Sequence, residues 1–443
     1  MKRTHCFTLI FFIACTQYSF GSYNTTNATG SASASGSTGL DFTLSPSLQG
    51  DESERLASAL ASLSSTIMFR CEFNGLRTIY VPKTAQELNE WITGNEDRET
   101  VQQFLLMEPL YTLYGPLNFK GHTNICGLPN LLPQMARPTT NSPPPDDIPT
   151  DNRNSELVKL LFKIDMYPYK NSFPPPRLET SSQLMLRNLA LHYEGPKTLQ
   201  HQGVLRSNAG GAARLQNIHL KDLTGASARM MSIYKSSLIA KDCEFTFQHR
   251  RQQRSSSLLL DWTSFIQLEN TRLISKGING RTIEWTGQQK EESLQPSFFK
   301  NLTFEAPDKM AHITAINLSC GGSTCVSPLQ IKGNEFIGGY RNGIDFDGQF
   351  FLQPEGNTGN RWQSSNSVGL ACYGTVQDVD VYFVDGSSCH NLNPTTVPSP
   401  SPPLPSASPS SSPVNSAETS MPAITLLLGA AITSVILQYS LLN

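Results

Sequence analysis

The segment LMLRNLALHY, residues 184–193, alternates apolar and polar positions as a strand does, yet Asn188 falls on a step that should point inward. The same grammar returns along the chain: an apolar residue, any residue, Asn or Asp, then an apolar residue three further on. Its copies are Leu186-Arg187-Asn188 with Leu191, Leu215-Gln216-Asn217 with Leu220, and Ala240-Lys241-Asp242 with Phe245. Leu268-Glu269-Asn270 with Leu273 and Phe299-Lys300-Asn301 with Phe304 continue it. A degenerate Ile331-Lys332-Gly333 with Phe336 follows, and Val376-Gln377-Asp378 with Val381 closes the series. Successive first residues lie 29, 25, 28, 31, 32 and 45 apart, in the range of stacked repeats. The pattern predicts a coil of short strands, one turn per copy. Asn or Asp takes the left-handed backbone of a corner, and its buried amide pairs with the rungs above and below. Ordinary alternating strands sharing no coil are the competing reading.

The ends break this pattern. Met1-Lys2-Arg3 precedes the apolar run CFTLIFFIAC, and Ser19-Phe20-Gly21 offers small residues at a cleavage position, so residues 1–21 read as an export signal. Phe12-Ile13-Ala14-Cys15 also fits a bacterial lipoprotein box with Cys15 lipidated. Residues 22–50, rich in Ser, Gly and Thr, hold too few large apolar groups to order and read as a flexible segment. Residues 51–393 are the predicted folded domain, interrupted by a Pro-rich loop at 134–155, and residues 394–415 form a Pro/Ser stalk. Residues 416–443 end in an uncharged apolar run just long enough to cross a bilayer. No Lys or Arg follows that run, which favours a glycolipid-anchor signal, with Ser410-Ser411-Ser412 or Asn415-Ser416-Ala417 as the small residues at the attachment site. A plain membrane helix is the alternative.

Composition narrows the class. The chain has 443 residues, 38% of them hydrophobic, and 34 basic against 36 acidic residues, which excludes a dedicated nucleic-acid binder. An exported chain favours disulfides, predicted as Cys320 with Cys325, Cys372 with Cys389 and Cys71 with Cys126, leaving Cys243 as a buried thiol. No structural zinc spacing is present. Sequons at Asn24, Asn27, Asn301 and Asn317 are candidate glycosylation sites.

Residues 79–385 resemble the pectin lyase-like, right-handed parallel β-helix superfamily. The resemblance rests on the repeat, on Ile79-Tyr80-Val81 leading into the apolar-periodic residues 85–92, and on GPLNFKGHTNICGLPN at 115–130. GNEFIGGYRNGIDFDG and GNTGN are similar to late rungs. It implies an all-β parallel β-helix with an N-terminal capping helix and flexible tethers at both ends. The superfamily holds polysaccharide lyases, hydrolases and noncatalytic adhesins, so the fold alone selects no activity. The polygalacturonase motifs are missing: Asp146-Asp147 lies in the Pro-rich loop, and there is no Gly-His-Gly.

A calcium-assisted lyase needs acidic ligands on adjacent rungs and a basic group. Arg341, Asp345 and Asp347 are the candidates, with both carboxylates on the outer strand face if Ile344 and Phe346 point inward; the alternative is a solvated face. His249, Arg250, Arg251 and Arg254 form a basic cluster suited to an acidic polysaccharide, or a solvated turn. His312 reads as a packed histidine. Trp262, Trp285, Tyr340 and Trp362 offer stacking surfaces or core packing. The expected function is carbohydrate binding or surface adhesion, with a polysaccharide or cell-surface ligand as partner, by a secreted protein held at the cell surface or the outer face of a membrane through its C-terminal segment, without nucleic acid or cofactor. The rival is a polysaccharide lyase or hydrolase, with Ca²⁺ as the cofactor of a lyase.

Overall fold

The computed structural model describes residues 40–48, 50–73, 77–94, 101–128, 157–163, 176–194, 203–223, 229–249, 256–261, 265–286, 297–309, 311–327, 329–352, 357–377, 381–384 and 388–389. Side chains of 261, 320–327, 349–352, 375–377 and 388 are not among those described. The signal, residues 22–39 of the first tether, the stalk, the C-terminal apolar run and the Pro-rich loop lie outside these residues; the rest of that tether is not the flexible segment expected, because Phe42–Leu44 forms a strand in parallel register with Ile79–Val81 and Leu40 is buried.

The repeat folds as a parallel β-solenoid. Its strands stack in parallel register into a 17-stranded sheet that bends around a corner and a separate 9-stranded sheet. The three informative positions of the sequence pattern become three ladders. The first apolar position forms an inward stack, Leu186 on Leu215, Ala240, Leu268, Phe299 and Ile331. The last apolar position forms a second stack, Leu191 on Leu220, Phe245, Leu273, Phe304 and Phe336. Every residue of both stacks is buried, and each Leu, Ile or Phe among them contributes about 1.5–3 kcal/mol. Phe304 and Phe336 stack face to face with centroids 4.9 Å apart.

Between the stacks the chain turns through positive φ at Asn188 (53°), Asn217 (52°), Asp242 (55°), Asn270 (49°) and Asn301 (54°). Asn217 Nδ2 donates to Asn188 Oδ1 at 2.9 Å, Asn270 to Asp242 Oδ1 at 3.2 Å and Asn301 to Asn270 Oδ1 at 3.2 Å. The degenerate copy also turns left-handed, at Gly333 (φ 65°), where a Cβ would lie 2.7 Å from Asn301 Oδ1. One expectation needs correction: these amides are not buried. Asn188 and Asn217 are half-buried, and Asp242, Asn270 and Asn301 are exposed, because a corner at positive φ throws its side chain along the solenoid edge. Truly buried amides occur a step later, where Asn334 Nδ2 donates to Asn360 Oδ1 at 3.1 Å. The closing copy at Asp378 lies outside the described residues.

Helices are few. α1 (Asp51–Ser62) and α2 (Ser64–Cys71) bury Leu60, Ile67 and Cys71 in a small cluster with Leu105 and Cys126. α3 (Ala85–Gly94) sends Leu88 and Ile92 into the main core. Two predicted disulfides are present: Cys71–Cys126 with Cα atoms 5.6 Å apart, and Cys372–Cys389 at 5.5 Å. The side chains of Cys320 and Cys325 lie outside those described. Cys243 is a buried free thiol, its pKa pushed up to about 12 chiefly by burial.

Candidate functional site: a polar column and groove on the nine-stranded sheet

Each strand of the nine-stranded sheet sends alternate side chains inward and outward. Leu117, Leu178, Leu205, Met231, Leu258, Ile283, Ile316, Ile344 and Cys372 fall in one inward register. The following residue of each strand makes the opposing column: Asn118, Glu179, Arg206, Ser232, Leu259, Glu284, Asn317, Asp345 and Tyr373. Eight of these nine are polar or aromatic with a polar tip and Leu259 interrupts them, so the sheet carries a largely polar column along the solenoid.

At its C-terminal end the column opens into a groove of about 550 Å³. Four consecutive strands build it: Asn279–Thr286, His312–Ser327, Asn342–Leu352 and Leu370–Gln377. Arg281 comes from the first, His312 and Thr314 from the second, Arg341 and Asp345 from the third or its entry, and Tyr373 from the last. Arg281 Nη1 donates to Glu284 Oε1 at 2.5 Å, which fixes the guanidinium at the groove edge. Tyr373 is 55% exposed, leaving a ring face available for stacking.

Ile344 and Phe346 are buried, as the alternation predicts, with Asp345 half-buried and Asp347 exposed. Burial raises the Asp345 carboxyl above the ordinary aspartate value; Arg281 opposes that, Asp347 adds to it, and a hydrogen bond from Asn342 and the charge of Arg341 oppose it again. Asp347 stands one pleat further on and accepts a hydrogen bond from Ser319 Oγ at 3.0 Å. Two carboxylates supply fewer oxygens than the six to eight that Ca²⁺ takes, and no three His, Cys, Asp or Glu side chains converge among the described residues.

Other candidates are placed differently. His249 is buried, not part of an exposed basic surface. It fits because Gly277 and Gly280 leave room, a Cβ on Gly280 falling 2.2 Å from its Nδ1, where no contact is tolerable. Burial pushes its pKa down to about 4. Arg250, Arg251 and Arg254 lie outside the described residues. His312, read as packed, is exposed at the groove mouth, because the strand begins there and its first residue faces out. Trp285 and Tyr340 belong to the core, and Trp362 is half-buried with its ring 6.2 Å from Phe336. Trp262 lies outside the described residues. Asn317 is buried, which leaves no room for a glycan in the folded state, whereas Asn301 is exposed. Asn24, Asn27, Ser410, Asn415 and Ser416 lie outside the described residues.

Sequence reading missed Arg281 and Tyr373. Their signal is register on the nine-stranded sheet, and the corner motif does not carry it because variable segments separate each corner from the next strand of that sheet. No described helix is long and apolar enough to cross a membrane. No protein-family model, curated protein or solved structure matches this chain.

Proposed function

We propose that this chain is an exported, surface-tethered protein whose solenoid binds an acidic carbohydrate along the groove of the nine-stranded sheet. The observation that carries the reading is the convergence of Arg281, Arg341 and Tyr373 from strands that span three inter-strand steps, roughly 14 Å. Guanidinium groups pair with carboxylate or sulfate, an exposed tyrosine stacks on a sugar ring, and Asn342, Thr314 and His312 supply hydrogen bonds to hydroxyls. In this reading the coil is right-handed and pectin lyase-like, with α3 capping its first rung. The export signal, the Pro/Ser stalk and the C-terminal apolar run support attachment outside a membrane.

Calorimetric titration of the full chain with oligomers of acidic and neutral polysaccharides tests it. Arg341→Ala should weaken binding of an acidic oligomer by about tenfold, the scale of one charged hydrogen bond, and Tyr373→Ala by about threefold to tenfold through lost stacking. Equal affinity for the neutral oligomers overturns the reading.

A second reading is favoured by the raised Asp345 carboxyl beside Arg341: a polysaccharide lyase or hydrolase with Asp345 as acid or base and Ca²⁺ as the metal of a lyase. Unsaturated products or new reducing ends from polyuronates, lost in Asp345→Asn, would replace binding by catalysis.

A further inference from the structure

The other sheet carries a charged patch that the groove does not use. Past the Asn corners, three neighbouring strands run in parallel register: Val158–Lys163, the second half of Gln183–Glu194, and the second half of Ala212–Asp222. Lys159, Ala190 and His219 form one outward column, and Leu161, His192 and Lys221 form the next. His192 therefore has Lys221 directly beside it and Lys159 and His219 on the two diagonals. Ala190, the short side chain in register between Lys159 and His219, is buried. Lys159 and Lys221 are exposed, His192 and His219 half-buried. Neither lysine makes an ion pair among the described residues.

The surrounding charges do not neutralise the patch. Lys163 lies further along the first strand, opposite Glu194. Glu244 is in register with His219 on the following strand and shares Arg272 with Glu305, at 3.4 Å against 2.5 Å, so one carboxylate borders the patch at His219. Lys159, His192 and Lys221 thus share one face of the sheet with no ion pair among the described residues.

We propose that Lys159, His192, His219 and Lys221 form a second binding site, for the sulfate esters of an anionic glycan, on a face separate from the groove. The chemistry selects the ligand. Ammonium and imidazole groups are point donors that approach from several directions and suit the three outer oxygens of a tetrahedral ester, whereas planar carboxylates are matched by the fork of arginine. The patch contains no arginine. A glycan carrying sulfates laid across the rungs meets Lys159 on one strand and Lys221 two strands on.

Proton linkage follows from the geometry. Burial, then Lys159, Lys221 and His219, hold His192 below the ordinary histidine value of 6.5. A bound anion offsets the lysine charges and favours the imidazolium, so binding takes up a proton and tightens as pH falls below that value.

The test is retention of the full chain on immobilised dextran sulfate and on unsulfated dextran, at pH 5.5 and 7.5 and constant ionic strength. Retention on the sulfated polymer alone is expected, tighter at pH 5.5 by about fivefold. Lys159→Glu with Lys221→Glu should lower it at both pH values to what the Arg281–Arg341 groove alone retains and remove its pH dependence, with the melting temperature unchanged because both side chains are exposed. His192→Gln should keep binding at pH 7.5 and lose the pH dependence. Retention unchanged in the double variant overturns this site and assigns dextran sulfate to the Arg281–Arg341 groove, whose own variants are tested separately. Binding to phosphatidylserine vesicles without binding to dextran sulfate overturns it in favour of a membrane surface.

Discussion

A left-handed backbone at a residue with a Cβ costs about 1–2 kcal/mol, and five stacked corners of this chain carry it. Asn and Asp reduce that cost through local hydrogen bonding of a short polar side chain. Asn217 adds a 2.9 Å bond to Asn188. Asn217→Leu should therefore lose about 2 kcal/mol in chemical denaturation, whereas Asn217→Gly keeps the backbone freedom and should lose less; equal losses would remove the backbone from the explanation. His249 sets a different constraint. Its folded pKa is about 4 and its ordinary value 6.5, so the unfolded chain binds more protons between these limits. Its contribution is fully present above pH 6.5 and is lost as pH falls toward 4, by roughly 3 kcal/mol. Thermal melting from pH 7 to pH 4.5 should show that decline, and His249→Phe should flatten it.

At the scale of elements, a strand of this coil is held by the strand one turn earlier and the strand one turn later. Glu269 illustrates the surface version: Lys241 lies 3.7 Å away on one neighbour and Lys300 2.9 Å on the other, and hydrogen bonding to Lys300 holds its carboxyl below the ordinary value. Such exposed pairs contribute little. The inward ladders contribute far more. Phe304→Ala should cost about 3–5 kcal/mol through lost burial and the cavity left behind. In a quasi-one-dimensional stack that loss stays near its source, so hydrogen exchange should accelerate in strands Arg272–Gly277 and Glu335–Gly338 while Leu110–Leu113 keeps its protection. Uniform acceleration would mean the solenoid opens as one unit.

At the scale of the whole molecule, α2 is tied to strand Thr123–Gly127 by Cys71–Cys126, and Arg187 from the next rung pairs with Glu72 just past the helix end. A chain of local rungs thus gains links across 55 and 115 residues. The coil itself was legible in the sequence because its rule is local: apolar residues two and three places either side of Asn188 or Asn270 must face inward once the corner residue turns left-handed. The same locality made Cys243 readable as a buried thiol and Asp345 and Asp347 as outward neighbours. The exposure of the corner amides, the inward place of His249 and the outward place of His312 were not readable. Each depends on what the adjacent rung presents, Gly280 making room for His249 and the groove opening beside His312. Arg281 and Tyr373 meet for the same reason, since 92 residues of sequence separate side chains that parallel register places three strands apart. Sequence determined the turn of the coil, because a turn is an arrangement of near neighbours. Only the tertiary structure decided which outward residues share a groove or a charged patch, because that depends on the stacking of variable-length turns.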